Sequence, residues 1–480
     1  MNWDIVIGLE IHVQLSTKSK LFSTAGTSFG APPNSQASFV DTALPGVLPT
    51  LNREAINMAI KLGLSIGADI SRQTTFARKN YFYPDLPKGY QISQADFPII
   101  TNGAIDVSLA DERFSSVAIT RAHLEEDAGQ STHENEEAGY SGINLNRAGI
   151  PLIEIVTEPV ISSADEALAL LKSIRTLVRY LDISTGNMQE GAMRCDVNIS
   201  VRPDKSSPLG NRVELKNINS FKFVEKAIKY EVERQITELS SGNVINQETR
   251  LYDSKKNITK TMRSKEDALD YRYFPDPDLT TIKITQQDID EIQKTLVELP
   301  NKKLARFVND YSIKNSDAKI LCLDINLANY FEEICKASTT KAQNVANWLC
   351  GDYLSLLKKH QISHSKNPIN ASCFVELLNK VNDNIISSSG AKVVLAKLFE
   401  TTDSVDEIIK QENLLQISND DELIQMIEKV LQDNPNQLEQ YKSGKDKLFG
   451  FFVGQVMKIS QGKANPQLVS KLVKQALTKV

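Results

Sequence analysis

The chain has 480 residues, of which 41% are hydrophobic and 24% charged, and a formal net charge of −5. That length accommodates roughly two to four domains with cores of their own, and the mild negative charge excludes a bulk attraction to nucleic acid. Five cysteines lie far apart without a C-x-x-C pair, which excludes a disulfide framework and a thiolate metal cage and suits a reducing compartment.

The chain starts in a strand. In "DIVIGLEIHVQL" (residues 4–15), Ile5, Ile7, Leu9, Ile11 and Val13 alternate with Asp4, Val6, Gly8, Glu10, His12 and Gln14. Such alternation predicts one buried and one polar face. It is not a signal peptide, and no apolar run reaches about 18 residues, so the expectation is a cytoplasmic protein without a membrane partner. "ITRAHLEED" (119–127) repeats the pattern, with Arg121, His123, Glu125 and Asp127 on one face. A helix is predicted over 162–182, with Ser163 as its cap and Glu166 as the capping-box partner. In "MRCDVNISVR" (193–202), Met193, Cys195, Val197, Ile199 and Val201 oppose Arg194, Asp196, Asn198, Ser200 and Arg202. In "NRVELKNIN" (211–219), Arg212, Glu214 and Lys216 form the polar set. A second helix fits 220–242, capped by Ser220 and stopped at Gly242. Beyond Leu299-Pro300 the sequence turns almost wholly helical, with "NDNIISSSGAK" (382–392) as a linker candidate. Residues 436–480 carry eight Lys against Glu439 and Asp446, a local charge of +6, and Asn465-Pro466 opens a last helix. The architecture expected is an α+β domain followed by two helical pieces.

Polar strand faces are ordinarily the solvated side of an antiparallel sheet. These carry His, Asp, Asn and Glu on at least four segments, the oxygen and nitrogen ligand set that a site assembled from several strands needs. Carboxylates and imidazole without thiols suit Mg2+ or Mn2+, and Glu10, His12 and Glu125 would suffice for an ion that keeps waters and phosphate oxygens. The alternative for His12 is a satisfied sheet histidine. "FARKNYFYPDLPKGYQISQ" (76–94) offers Arg78, Lys79 and Lys88 around a Tyr-rich turn with Gly89, suited to phosphates and a stacked base, or an ordinary aromatic loop. No Walker or dinucleotide-binding glycine motif is present, so any ATP would lie on a sheet face.

With those residues in view, "GLEIHVQL", "RKNYFYPDLPKGYQISQ", "HLEEDAG", "NRAGIPLIEIVTEP", "GAMRCDVNISVRP", "VELKNINSF", "ETRLYD", "DYRYFPDPDL" and "GQVMKISQGKANPQLVSKLV" resemble, in order, the signature blocks of the B subunit of the aspartyl/glutamyl-tRNA amidotransferases. The resemblance implies three parts. Residues 1–292 would be a catalytic domain with an antiparallel sheet of the glutamine-synthetase and guanido-kinase type, 293–403 a helical domain, and 404–480 a helical tail that binds tRNA. It implies ATP-dependent amidation of Glu or Asp mischarged on tRNA, with Mg2+, ammonia from the amidase or A subunit, and a small C subunit. Glu10, His12 and Glu125 match the metal and catalytic motif. Lys79, Tyr81, Lys88, Arg147, Asp196, Asn198, Glu214 and Lys216 are the residues expected around ATP. Many relatives carry four zinc-binding Cys in the stretch equivalent to 23–41, whereas Ser23, Ala25, Ser38 and Asp41 stand here, so no zinc is expected. A non-catalytic tRNA-binding or assembly scaffold is the rival function. The preference between Glu-tRNA and Asp-tRNA is not encoded legibly.

Overall fold

The computed structural model describes residues 3–94, 96–109, 113–132, 140–264, 271–417, 419–460 and 462–479. The chain divides into two compact units, Met1–Leu299 and Pro300–Val480.

The strands of the first unit are β1 (Asp4–Gln14), β2 (Asp69–Ile70), β3 (Gln73–Thr74), β4 (Ala77–Asn80), β5 (Tyr90–Ser93), β6 (Ile100–Ser108), β7 (Phe114–Glu126), β8 (Gln130–Thr132), β9 (Gly142–Asn144), β10 (Pro151–Thr157), β11 (Met193–Arg202), β12 (Val213–Lys216), β13 (Glu248–Asp253), β14 (Ile258–Ser264), β15 (Phe274–Pro275) and β16 (Ile282–Lys283). Its helices are α1 (Arg53–Ser65), α2 (Ala164–Tyr180), α3 (Phe221–Ser240) and α4 (Gln286–Gln293). One large sheet runs β14-β13-β12-β11-β1-β10-β7-β5-β4-β15, with β6 beside β7 and β2 beside β6. Of its pairings, β12–β13 is parallel and the others are antiparallel. The α+β expectation therefore holds at the level of a mainly antiparallel sheet with helices.

The alternation in the strands decides which face the helices cover. Ile7, Leu9, Ile11 and Val13 of β1 share a core with Leu170, Leu171, Ile174 and Val178 of α2 and with Val224, Ala227 and Ile228 of α3. Each such side chain contributes about 1.5–3 kcal/mol on burial, so a slip of one residue, which would turn this set to the other face, is excluded. Ser163 caps α2 by accepting from the Glu166 backbone N–H. The Glu166 carboxylate does not close the expected box. It accepts instead from Ser162 N–H and Oγ and from Ser115 Oγ on β7, because tertiary contact with β7 offers a further donor. Ser220 caps α3 as expected, and Gly242 follows it at φ 82°. Ile289 and Ile292 of α4 lie in the same core, with Leu296 and Leu299 packed against it, so this core reaches past residue 292.

The second unit is helical: α5 (Pro300–Asp310), α6 (Asn315–Leu321), α7 (Ile325–Ala337), α8 (Ala342–Trp348), α9 (Leu354–Lys359), α10 (Ala371–Asn382), α11 (Ser388–Leu398), α12 (Val405–Gln411), α13 (Asp420–Asp433), α14 (Pro435–Lys442), α15 (Leu448–Ile459) and α16 (Pro466–Lys479). Among the described residues it contains two cores. The first includes Phe307, Phe331, Phe374, Val394 and also Val405, Ile408 and Ile409 of α12. The second begins at Leu423 and includes Phe452, Val456, Val469 and Val473. The change of core falls after α12, not at 403/404. The 382–392 stretch is not a linker. Ile386 is buried in the first core, and Ser387 caps α11 by accepting from Gly390 N–H. Its serines serve as a helix start, a use that a polar composition alone cannot distinguish from a hinge. The quoted block 270–279 begins at Asp270, which lies outside the described residues.

Candidate active site

The polar face of the sheet is organised in cross-strand rows. His12 of β1 is the register partner of Arg194 on β11 and of Glu154 on β10, and Glu154 is the partner of His123 on β7. Residues directly opposite in an antiparallel ladder point to the same face. Arg194, His12, Glu154 and His123 therefore stand in one row. In the neighbouring row Glu10 faces Asp196, and in the row beyond it Asn198 faces Gly8 on one side and Glu214 of β12 on the other.

The first row closes into a cluster. His12 Nε2 lies 3.4 Å from Glu125 Oε1 and 3.3 Å from Glu154 Oε2, and His123 Nε2 lies 3.3 Å from the same Glu154 oxygen. Burial alone would lower the His12 imidazole, but hydrogen bonds and charge from Glu125 and Glu154 outweigh it and push it up to about 10. Burial would raise Glu154, yet His12 and His123 hold it well below the usual carboxylate range. Nδ1 of His123 is buried and has no hydrogen-bond partner among the described residues. The carboxylates of this cluster favour positive charge at His12, and the imidazoles favour the ionised form of Glu154.

The second cluster is Glu10, Asp196 and Glu214. Burial and then the charge of Glu154 raise the Glu10 carboxyl, and the amide of Asn198, donating to Oε1 at 3.0 Å, opposes them. Lys216 bridges Asp196 and Glu214, 2.8 Å from Glu214 Oε1, and these carboxylates raise its ammonium in spite of burial. Within each of the trios His12–Glu125–Glu154 and Glu10–Asp196–Glu214, one donor atom per residue lies within 4.8 Å of the others. Hard oxygen donors with one imidazole and no thiolate fit Mg2+ or Mn2+ and do not fit a structural zinc.

The aromatic loop adds cations. Lys79 of β4 points over the Tyr271 ring, 4.9 Å from its centroid, with Tyr81 at 5.9 Å. It has no carboxylate within ion-pair distance among the described residues. Burial lowers its ammonium, but Tyr273, Glu125, Tyr271 and Glu154 raise it overall. Gly89 ends the loop at φ 72°, where a Cβ would meet Phe82 at 3.0 Å, so the turn requires glycine. Phe82 and Tyr83 are exposed.

The expected residues thus divide. Glu10, Asp196, Asn198, Glu214 and Lys216 gather in one group, His12 and Glu125 in another, and Lys79 and Tyr81 face the second across the sheet. Glu10 belongs with Asp196 and Glu214 and not with His12 and Glu125. Lys88 is bonded to Glu126, and Arg147 donates to the carbonyls of Ala128 and Gly129. Sequence reasoning passed over Glu154, His123 and Arg194 as site residues. The available sign was Glu154 in "PLIEIVT", a lone carboxylate amid apolar strand residues.

The 23–41 loop is tied to a residue shortly before it by an ion pair. Lys20, wholly buried, lies 3.1 Å from Asp41 Oδ2, and Asp41 also accepts from Ser23 Oγ and from Ser38 N–H at 2.7 Å. Gly149 at φ 82° leaves room for the pair, since a Cβ there would meet Asp41 Oδ1 at 2.8 Å.

The profile described as the GatB/GatE catalytic domain matches residues 5–290, and the GatB-domain profile matches 329–477. A protein of Thioalkalivibrio sulfidiphilus is 53% identical over 477 residues, covering 99% of this chain and 100% of the relative. One of Coxiella burnetii is 52% identical over 478 residues, covering 99% and 100%. One of Nitrosococcus oceani is 51% identical over 478 residues, covering 100% of both. All three carry the name of the B subunit of the aspartyl/glutamyl-tRNA(Asn/Gln) amidotransferase. With identity of this level along the whole chain, the protein belongs to the family of the aspartyl/glutamyl-tRNA(Asn/Gln) amidotransferase B subunits.

Proposed function

We propose that this chain is the synthetic subunit of a glutamine-hydrolysing aminoacyl-tRNA amidotransferase, working in the cytoplasm on Glu-tRNA(Gln), Asp-tRNA(Asn) or both. The observation that carries the reading is the pair of adjoining acid clusters on one sheet face, with Lys79 across from them. A side-chain carboxylate is a poor electrophile. Its oxygen attacks the γ-phosphorus of ATP, ADP leaves, and an acyl phosphate forms. Ammonia from glutamine hydrolysis in the amidase partner, the A subunit, then attacks the acyl carbon, and phosphate leaves with the C–O electron pair. A small C subunit completes the assembly in this reading.

The first step brings two anions together, so positive charge must be present before they meet. Mg2+ held by His12, Glu125 and Glu154, with Glu10, Asp196 and Glu214 as a second ligand group, would supply part of that charge. Lys79 supplies another part from the chain itself, fixed in its ring cage. Asn198 orients Glu10, and Lys216 keeps Asp196 and Glu214 ionised. Tyr81 and the exposed Phe82 and Tyr83 offer faces for a stacked base. We assign the sheet, with one face covered by helices and the other carrying charge, to the glutamine-synthetase and guanido-kinase type. The exposed Lys442, Lys445, Lys447, Lys458, Lys471 and Lys474 of the tail support a tRNA-binding role. A scaffold without catalysis would have no use for carboxylates buried at the cost that these incur.

The test uses the purified complex with each mischarged tRNA, ATP and glutamine. Formation of Gln-tRNA or Asn-tRNA coupled to ATP hydrolysis is expected. Tight tRNA binding without ATP consumption would establish the scaffold instead.

A further inference from the structure

Of the cations on the polar face, most are already engaged. Lys216 is bonded to Asp196 and Glu214, Lys88 to Glu126, and Arg78 to both Asp276 and Asp278 at 2.8 Å. Arg194 differs. Its Nη2 donates to Asp127 Oδ1 at 3.0 Å, and its guanidinium makes no other hydrogen bond within the described residues. A guanidinium carries five N–H donors, so most of this fork is unused. Its side chain remains 35% exposed, whereas that of Asp127 is 4% exposed. Asp127 is in turn held from the other side, by Gln14 Nε2 donating to Oδ2 at 2.9 Å and by Arg147 Nε at 3.7 Å. A buried, doubly secured carboxylate therefore fixes a half-open guanidinium in the same cross-strand row as His12.

The placement distinguishes two flanks. In the strand order β11-β1-β10-β7-β5-β4, Arg194 stands on β11 and Lys79 with the aromatic loop on β4. The His12–Glu125–Glu154 cluster, on β1, β7 and β10, lies between them, while Asp196 and Glu214 of the other cluster stand on β11 itself and on β12. A nucleotide stacked on the aromatic loop brings its phosphates in from the β4 side, which leaves the β11 side for the acceptor. We propose that Arg194 receives the side-chain carboxylate of the aminoacyl substrate as a two-pronged hydrogen-bond donor, and that Asp127 is the positioning residue that aims it. This rests on the reading of the preceding subsection. A planar fork matches a carboxylate, and an ammonium does not. The amide product offers one oxygen acceptor and brings its own donors, so the same fork weakens its hold once the carboxylate has been converted. Arg194 thereby separates substrate from product.

The experiment compares the wild-type complex with R194Q, R194K, R194A and D127N. Wild-type amidation of mischarged tRNA tests the underlying reading by itself, independently of the variants. For R194Q, kcat/KM for mischarged tRNA should fall about 100-fold, with R194K recovering only a small part, while KM for ATP stays within about twofold of wild type. The preference for mischarged tRNA over correctly charged product tRNA as a competing ligand should shrink by about tenfold or more. D127N should lose about tenfold in kcat/KM, also at unchanged KM for ATP. Guanidinium ion added at concentrations well below its denaturing range should partly restore R194A, and ammonium should not. Wild-type kcat/KM in R194Q would overturn the proposal. A matching rise in KM for ATP would assign Arg194 to phosphate instead. Joint loss of ATP binding and of the thermal transition in R194A, without guanidinium rescue, would make it a structural residue.

Discussion

On the polar face of the sheet, the Glu125, His123 and Glu154 side chains are 6%, 7% and 14% exposed and lie within hydrogen-bonding reach of their neighbours. In the tail, Lys442, Lys445, Lys447, Lys458, Lys471 and Lys474 are all exposed around a plain core of Leu423, Phe452 and Val456. Both regions are built from charge, and the charge behaves differently. Buried carboxylates keep most of their mutual field and must be compensated group by group. Exposed lysines act nearly independently through a screened field. Function should therefore rest on single residues in the first region and be spread thinly over many in the second.

The sharpest break of that contrast is at the first cluster. His12→Ala, Glu125→Gln or Glu154→Gln should each lower tRNA-dependent ATP hydrolysis by about 10³-fold or more, while the thermal transition stays cooperative. Near-normal ATP hydrolysis in all three would remove the cluster from the chemistry. The tail is next. Removing residues from 418 onward, which spares α12 and its core, should raise KM for mischarged tRNA by about 10- to 100-fold at low salt and by less at high salt, whereas Lys471→Ala alone should cost only about two- to fivefold. An unchanged KM at low and high salt would remove the tail from tRNA recognition.

An intermediate case lies in the helical core of the second unit. Glu332 on α7 is partly buried and accepts from Arg306 Nη1 at 2.7 Å and Lys303 Nζ at 3.0 Å. Burial would raise it, but these two cations outweigh burial and hold it down at about 2. A depressed carboxylate stabilises the fold above its unfolded range near 4.5, and that contribution is lost as pH falls from about 4.5 towards 2. Urea melts of wild type and Glu332→Gln should thus differ by about 1–2 kcal/mol at neutral pH and converge through that window. A gap that persists at pH 2.5 would contradict the ion-pair account. The smallest effect concerns the 23–41 loop. With Lys20–Asp41 as its clasp, and with Ser23, Ala25, Ser38 and Asp41 unable to make a tetrahedral zinc set, a strong chelator should shift the melting temperature by less than about 1 °C. Zinc that resists dialysis, with destabilisation on its removal, would show that the loop depends on a metal after all.

Much of this was legible in the residues. The faces of β1, β11 and β12 follow from alternation, and the starts of α2, α3 and α16 from Ser163, Ser220 and Asn465-Pro466. These features are local, set by a period of two or by a side chain bonding its own next turn. The serines at 387–389 were ambiguous because capping and linker chemistry draw on the same residues. The core of α12 was illegible because only packing shows which neighbour Val405 and Ile408 meet.

The candidate site divides along the same line. By itself the sequence determined that Glu10, His12, Asp196 and Glu214 lie on polar strand faces, since alternation is a property of the backbone pleat. Only the tertiary structure decided that Glu154 joins His12, that Glu10 goes with Asp196 and Glu214, and that Arg194 is aimed by Asp127. Those partnerships depend on strand order and register between segments more than a hundred residues apart for the β1–β10 and β1–β11 pairs. Register is fixed by the burial of the opposite face, summed over all strands, and no single segment carries that information.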